Sequence, residues 1–234
     1  MILNCSYGAR VLDVVSIGGH LVVVKTLLLL SFATLSSLGQ VVQVPPRQIV
    51  PMEVQMRAKE AVQEMVNKTL QQDFVAVADK IYPDYLQLLA RAKRKTIAQV
   101  KAEEVAKLKA VGASGVTIDS MITLAPKNAF EVEYGVEKGQ GGSATEAGYR
   151  SWMVFIPTVL DFSALDNLAD PPRMRSFRKW GFQVAISKKD QESWTFVDGD
   201  GVNALELRKL FKFLPQDDKL YNFPRRDVQE IERK

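Results

Sequence analysis

At Gly115 the apolar residues stop recurring every three to four positions and begin to alternate, and the alternation holds as far as Phe196. This change of period constrains the fold more than any composition figure. Helices come first and strands follow in succession, the order of an α+β domain with its helices gathered against an antiparallel sheet. The chain has 234 residues, 47% hydrophobic and 25% charged. That is enough for one packed domain and an appendage, and it excludes wholesale disorder, collagen and a multi-span membrane protein.

Upstream of the change, Val54, Ala58, Ala61/Val62, Met65/Val66 and Leu70 share one helical face. Asp73 is placed to cap a second, short helix carrying Phe74, Val77, Ala78 and Ile81, stopped by Pro83. Asp84 with Gln87 forms a capping-box pair for a third helix bearing Tyr85, Leu88, Leu89 and Ala92. After the basic run Arg91, Lys93, Arg94 and Lys95, Thr96 with Gln99 restarts the helix. Ile97, Val100, Val105, Leu108 and Val111 then form a buried face, with Glu103 and Lys107 paired and Gly112 as the stop.

Downstream, Val116, Ile118, Ile122 and Leu124 alternate with Thr117, Asp119 and Thr123, and Phe130, Val132, Tyr134 and Val136 alternate with Glu131 and Glu133. The carboxylates Asp119, Glu131 and Glu133 therefore fall on a solvated register. Tyr149 to Ile156 is apolar on both faces, which predicts a doubly covered strand, ended or bulged by Pro157. Trp180, Phe182, Val184 and Ile186 alternate with Lys179, Gln183 and Ser187, and Trp194 and Phe196 flank Thr195. Gly139, Gly141 and Gly142 mark a hairpin loop. A last helix is expected from Ala204 to Phe213, stopped by Pro215. Asp198-Gly199-Asp200-Gly201 reads as the turn feeding it, because a calcium loop begun at Asp198 lacks ligands at Val202 and Lys209.

Ahead of the domain, Lys25, the run Leu27–Leu30 and the small residues Ser37 and Gly39 compose a secretory signal peptide over residues 1–39. Residues 1–24 upstream of it read as a mis-assigned start. Residues 40–52, with Pro45, Pro46 and Pro51, form a linker; residues 53–224 form the domain and 225–234 a charged tail. The expected location is periplasmic or secreted, with the membrane as alternative if the leader stays uncleaved as an anchor. Cleavage removes Cys5 and His20, the chain's one cysteine and one histidine. The exported domain then has no thiol nucleophile and no imidazole, so a base must be a carboxylate or lysine of shifted pKa. No cofactor or metal is expected. A net charge of +4 with basic runs would suit nucleic acid, but export argues against it as partner.

Three stretches are similar to exported bacterial members, of unknown function, of the nuclear transport factor two-like superfamily. They are Asp73 to Pro83; Ile186 to Asp190 leading to Trp194–Gly199; and Lys219 to Pro224. The resemblance implies amino-terminal helices packed in the concave face of a strongly bent antiparallel sheet, a cone with one open end. Curved sheets of this kind commonly enclose a cavity. Tyr82, Tyr85, Tyr134, Phe155, Trp180 and Trp194 are its candidate lining. Enzymatic members of the superfamily place Asp, Tyr or His inside the cone, but none of their motifs is matched here and no catalytic residue carries over. The expectation is a binding domain for a small apolar ligand or a protein partner, with homodimerisation through the sheet's outer face. The alternative is a small-substrate isomerase or hydro-lyase with a carboxylate buried in the cone opposite a tyrosine; Asp161 is the carboxylate the pattern explains least.

Overall fold

The computed structural model describes residues 49–136, 147–166, 171–191 and 193–232. The leader 1–39, most of the linker 40–52 and the loop glycines Gly139, Gly141 and Gly142 lie outside the described residues. Helix α1 (Met52–Leu70) buries Val54, Ala58, Val62 and Val66, the face its spacing predicts. Helix α2 (Phe74–Asp79) is capped by Asp73, whose Oδ1 accepts from the Ala76 N–H at 3.2 Å. In α3 (Pro83–Lys93) the cap position falls to Tyr82, not Asp84, because Pro83 has the fixed φ of a first helical residue. Helix α4 (Ile97–Ala113) opens on the Thr96/Gln99 capping box and runs through Gly112; Gly115, at φ 80°, supplies the left-handed turn beyond it. Among the described residues of α4 only Val100 is fully buried, while Ile97 is 42% and Val111 45% exposed. The expected apolar face of α4 is real but mostly uncovered. Glu103 takes Lys93 and Lys95, and Lys107 binds Glu104 instead. None of the described helices is long and apolar enough to cross a membrane.

The sheet is antiparallel throughout and built on two long strands, β3 (Ala147–Asp166) and β4 (Arg173–Lys188), paired from Ser151↔Lys188 to Asp166↔Arg173. Two short strands, β1 (Thr117–Thr123) and β2 (Asn128–Val136), share the free edge of β3. Two more, β5 (Thr195–Asp198) and β6 (Asp227–Ile231), share that of β4. The charged tail thus supplies a strand.

Pro157 neither ends β3 nor shifts the β3–β4 register, which runs unbroken through Pro157↔Phe182. Its carbonyl accepts from the Leu124 N–H at 2.9 Å, so its nitrogen faces the same edge, where the ladder breaks between β1 and β2. The missing N–H costs nothing there, and β4 carries β3 straight through. An irregularity at Asp119 reverses the expected register of β1. Ile122 turns outward, 50% exposed, and Thr123 turns inward, where its N–H and hydroxyl both donate to Gln63 Oε1 of α1.

Both faces are covered along Tyr149–Ile156. One face buries Val154, Ile156, Ala185 and Phe196 under α1. The other buries Phe130, Met153, Phe155, Phe182 and Val184 against Leu207 of α5 (Ala204–Leu210) and the following Phe211, Leu214 and Tyr221. Phe155 packs rings with Phe130, Phe182 and Phe223 at 6.0, 5.9 and 5.5 Å. Two-sided cover also overturns the solvated reading of Glu131. It is 2% exposed and accepts from Lys189 Nζ, which lies 4.4 Å from the Trp152 ring centroid.

Candidate ligand-binding cleft

Helix α4 packs on α2 and α3 rather than on the sheet. Its uncovered apolar side therefore looks across a gap, and the gap is a cleft of about 1240 Å³. Leu108 and Val111 of α4 form one wall, with Met65 and Leu70 of α1, Phe74 and Val77 of α2 and Leu89 of α3. Ile118 and Met121 of β1, Thr158 and Leu160 of β3 and Gly181 and Gln183 of β4 form the other. The long strands position these last residues.

The polar end lies where β4 meets β5. Gln183 and Asp198 are cross-strand partners, so they present their side chains on one face, and both line the cleft. Asp198 closes β5 and caps the 3₁₀ turn Gly199–Gly201, accepting from the Asp200 N–H at 3.3 Å and from Gln183 Nε2 at 3.3 Å. The turn must pass close to β4: a Cβ on Gly199 would stand 2.5 Å from the Phe182 carbonyl oxygen. Asp198 is solvent-accessible, and that access opens into the cleft it lines. The surrounding protein, then the charge of Asp200, raise its pKa above the ordinary carboxylate value. Tyr85, half-buried in the same wall, has its hydroxyl 3.8 Å from where a Cβ on Gly201 would be. Its pKa is raised by burial and then by Asp198, so it remains a hydrogen-bond donor at neutral pH. This end can accept from a ligand donor, donate through a phenol, and take up a proton.

Of the residues expected to line a cavity, Tyr85 alone stands on the cleft. Phe155 and Trp194 are packed in the two cores. Trp180 lies partly exposed with the Arg225 guanidinium 4.1 Å from its ring centroid. The Tyr134 side chain lies outside the described residues. Tyr82 is buried against Phe211 and donates to Glu133 Oε1 at 2.6 Å, with Asp84 Oδ2 3.3 Å away. Glu133, expected in solvent, has a left-handed backbone at φ 60° inside β2 and also accepts from the Ser151 hydroxyl. Burial and the Glu133 contact push the Tyr82 phenol far up, which makes it a structural donor that does not ionise.

Asp161 has a plain explanation: Arg178 donates Nε to Oδ1 at 2.7 Å and Nη2 to Oδ2 at 2.8 Å across β3 and β4. The basic runs are similarly answered, Lys93 and Lys95 by Glu103, Arg175 by Glu230 and Lys179 by Asp200. Among the described residues no group of three or more His, Cys, Asp or Glu is arranged to hold a metal. Asp198 was absorbed by the turn reading, and only the opposition of Gln183 and Asp198 across a hairpin could have singled it out. Comparison with protein-family models, curated proteins and solved structures finds no match.

Proposed function

We propose that this is an exported binding domain of the nuclear transport factor two-like cone type, taking a small, largely apolar ligand between its helical layer and a bent sheet. The carrying observation is the cleft of about 1240 Å³, lined by apolar side chains of α4 and of the β1/β3 wall that have no protein partner across it. Apolar walls and a few convergent polar groups are what such a site requires, and the volume exceeds the usual range because the cleft is partly open. The bent shape is supported by the register shift at Asp119, since a bulge bends and twists its strand. The order of elements supports the family reading, with four helices before the sheet.

The test uses N-phenyl-1-naphthylamine, a neutral apolar fluorophore, titrated into the full chain. One-to-one binding is expected, weakened about tenfold or more in Leu108→Trp, which fills the cleft from α4, and unchanged in Leu205→Trp on exposed α5. No binding, or equal binding to Leu108→Trp and the parent, overturns the reading.

An isomerase or hydro-lyase stands second, favoured by one observation: an accessible carboxylate of raised pKa beside a tyrosine hydroxyl in the cleft. It requires that Asp198→Asn abolish deuterium exchange next to the carbonyl of a cyclic ketone incubated with the protein.

A further inference from the structure

The cleft's charges are unevenly answered. Lys93 lies with Glu103 and Glu104, Lys107 with Glu104, and Lys179 with Asp200, so these lysines already have their carboxylates. Lys109 stands exposed near the end of α4. Asp198 has no cation within ion-pair distance among the described residues. Its two donors, Gln183 Nε2 and the Asp200 N–H, are neutral and both at 3.3 Å, beyond the usual range for strong bonds. Asp198 is exposed on the cleft wall, so a ligand filling this end would cover its carboxylate.

We propose that the cleft selects a cationic amphiphile, an apolar body carrying a protonated amine, with Asp198 as the amine's counter-ion. This rests on the ligand-binding reading above and adds the chemistry of the polar end. A neutral ligand would strip water from Asp198 and return nothing, which is expensive for an ionised group. An anionic ligand would meet Asp198 and Asp200 with Lys179 already engaged by Asp200. An ammonium instead forms a charge-assisted hydrogen bond to Asp198 near the half-buried ring of Tyr85. The pKa of Asp198 is raised first by burial and then by the neighbouring charge of Asp200, while Lys179 acts in the opposite sense.

The experiment compares three probes sharing one apolar body, dodecylammonium, dodecanol and dodecanoate. Each displaces N-phenyl-1-naphthylamine from the full chain at neutral pH, below its micelle concentration. Dodecylammonium is expected to bind about tenfold or more tighter than dodecanol, the worth of one charge-assisted bond, with dodecanoate weakest. In Asp198→Asn the preference for the ammonium is expected to fall to about threefold or less, with dodecanol unchanged. Equal binding of the three probes, a preference for dodecanoate, displacement by none of them, or an ammonium preference that survives Asp198→Asn overturns the inference while leaving an apolar cleft standing. Displacement that is unaffected by Leu108→Trp removes the cleft reading, and this inference with it.

Discussion

Beneath α5, Phe155 touches three other rings and has no exposed surface. On the opposite face of the same β3–β4 pair, Leu160 and Thr158 border open space. The filled face is sealed by chain that follows β5 directly, where Leu207, Phe211, Leu214 and Tyr221 reach back over the sheet. The open face is sealed by α1 along one half only; over the other half α4 is held off by its packing on α2 and α3. Each large apolar side chain fully buried contributes about 1.5–3 kcal/mol. Letting α4 settle onto β1 and β3 would therefore stabilise the fold, and the chain forgoes this at the cleft, where a ligand has room. A stability cost localised at a site is the usual mark of function.

The strongest way to break this contrast is to hollow the filled face. Phe155→Ala is expected to cost about 3–5 kcal/mol in urea unfolding, whereas Leu108→Ala on the cleft wall costs about 1 kcal/mol or less. Comparable losses would mean that the cleft is closed in solution. A smaller effect tests the seal itself. Tyr221 is fully buried and donates its hydroxyl to the Pro215 carbonyl at 2.9 Å, so Tyr221→Phe is expected to lose about 1 kcal/mol by the same measurement. No loss would show that this hydrogen bond does not hold the segment down. The smallest effect has the opposite sign. Asp198 ionises less readily in the folded chain than in the unfolded one, so its charge opposes folding above the folded-state pKa. That opposition is gone below the ordinary carboxylate value near 4. Asp198→Asn should therefore unfold at slightly higher urea than the parent at neutral pH, and the difference should close on acidification. A variant less stable than the parent at neutral pH would make Asp198 a structural cap first.

Local signals were legible wherever they were self-contained. Asp73 and the Thr96/Gln99 pair cap their helices from within four residues, and the doubly apolar run Tyr149–Ile156 announced cover on both sides. What misled was register and distance. One irregular residue at Asp119 sends Ile122 out and Thr123 in, which no alternation rule anticipates. Glu131 looks solvated until Lys189, far along the chain, is folded over it. The apolar spacing of α4 predicts a buried face of which, among the described residues, only Val100 is fully covered, because apolar spacing cannot distinguish a side chain that touches the sheet from one that faces a gap. Asp198 is a plain turn residue in sequence and becomes a cleft residue only because Gln183 stands opposite it.

The arrangement of short strands along two long ones has a consequence for how the molecule comes apart. β1, β2 and β6 each rest on a single neighbour, and β5 on β4 plus one bridge to Ile81. Of these, β1 and β6 bury least, whereas β2 and β5 carry core residues, so the first loosening under heat or protease is expected at β1 and β6. Because β1 is both a fringe strand and a wall of the cleft, a ligand gripping Ile118 and Met121 would clamp a part of the molecule that otherwise frays early.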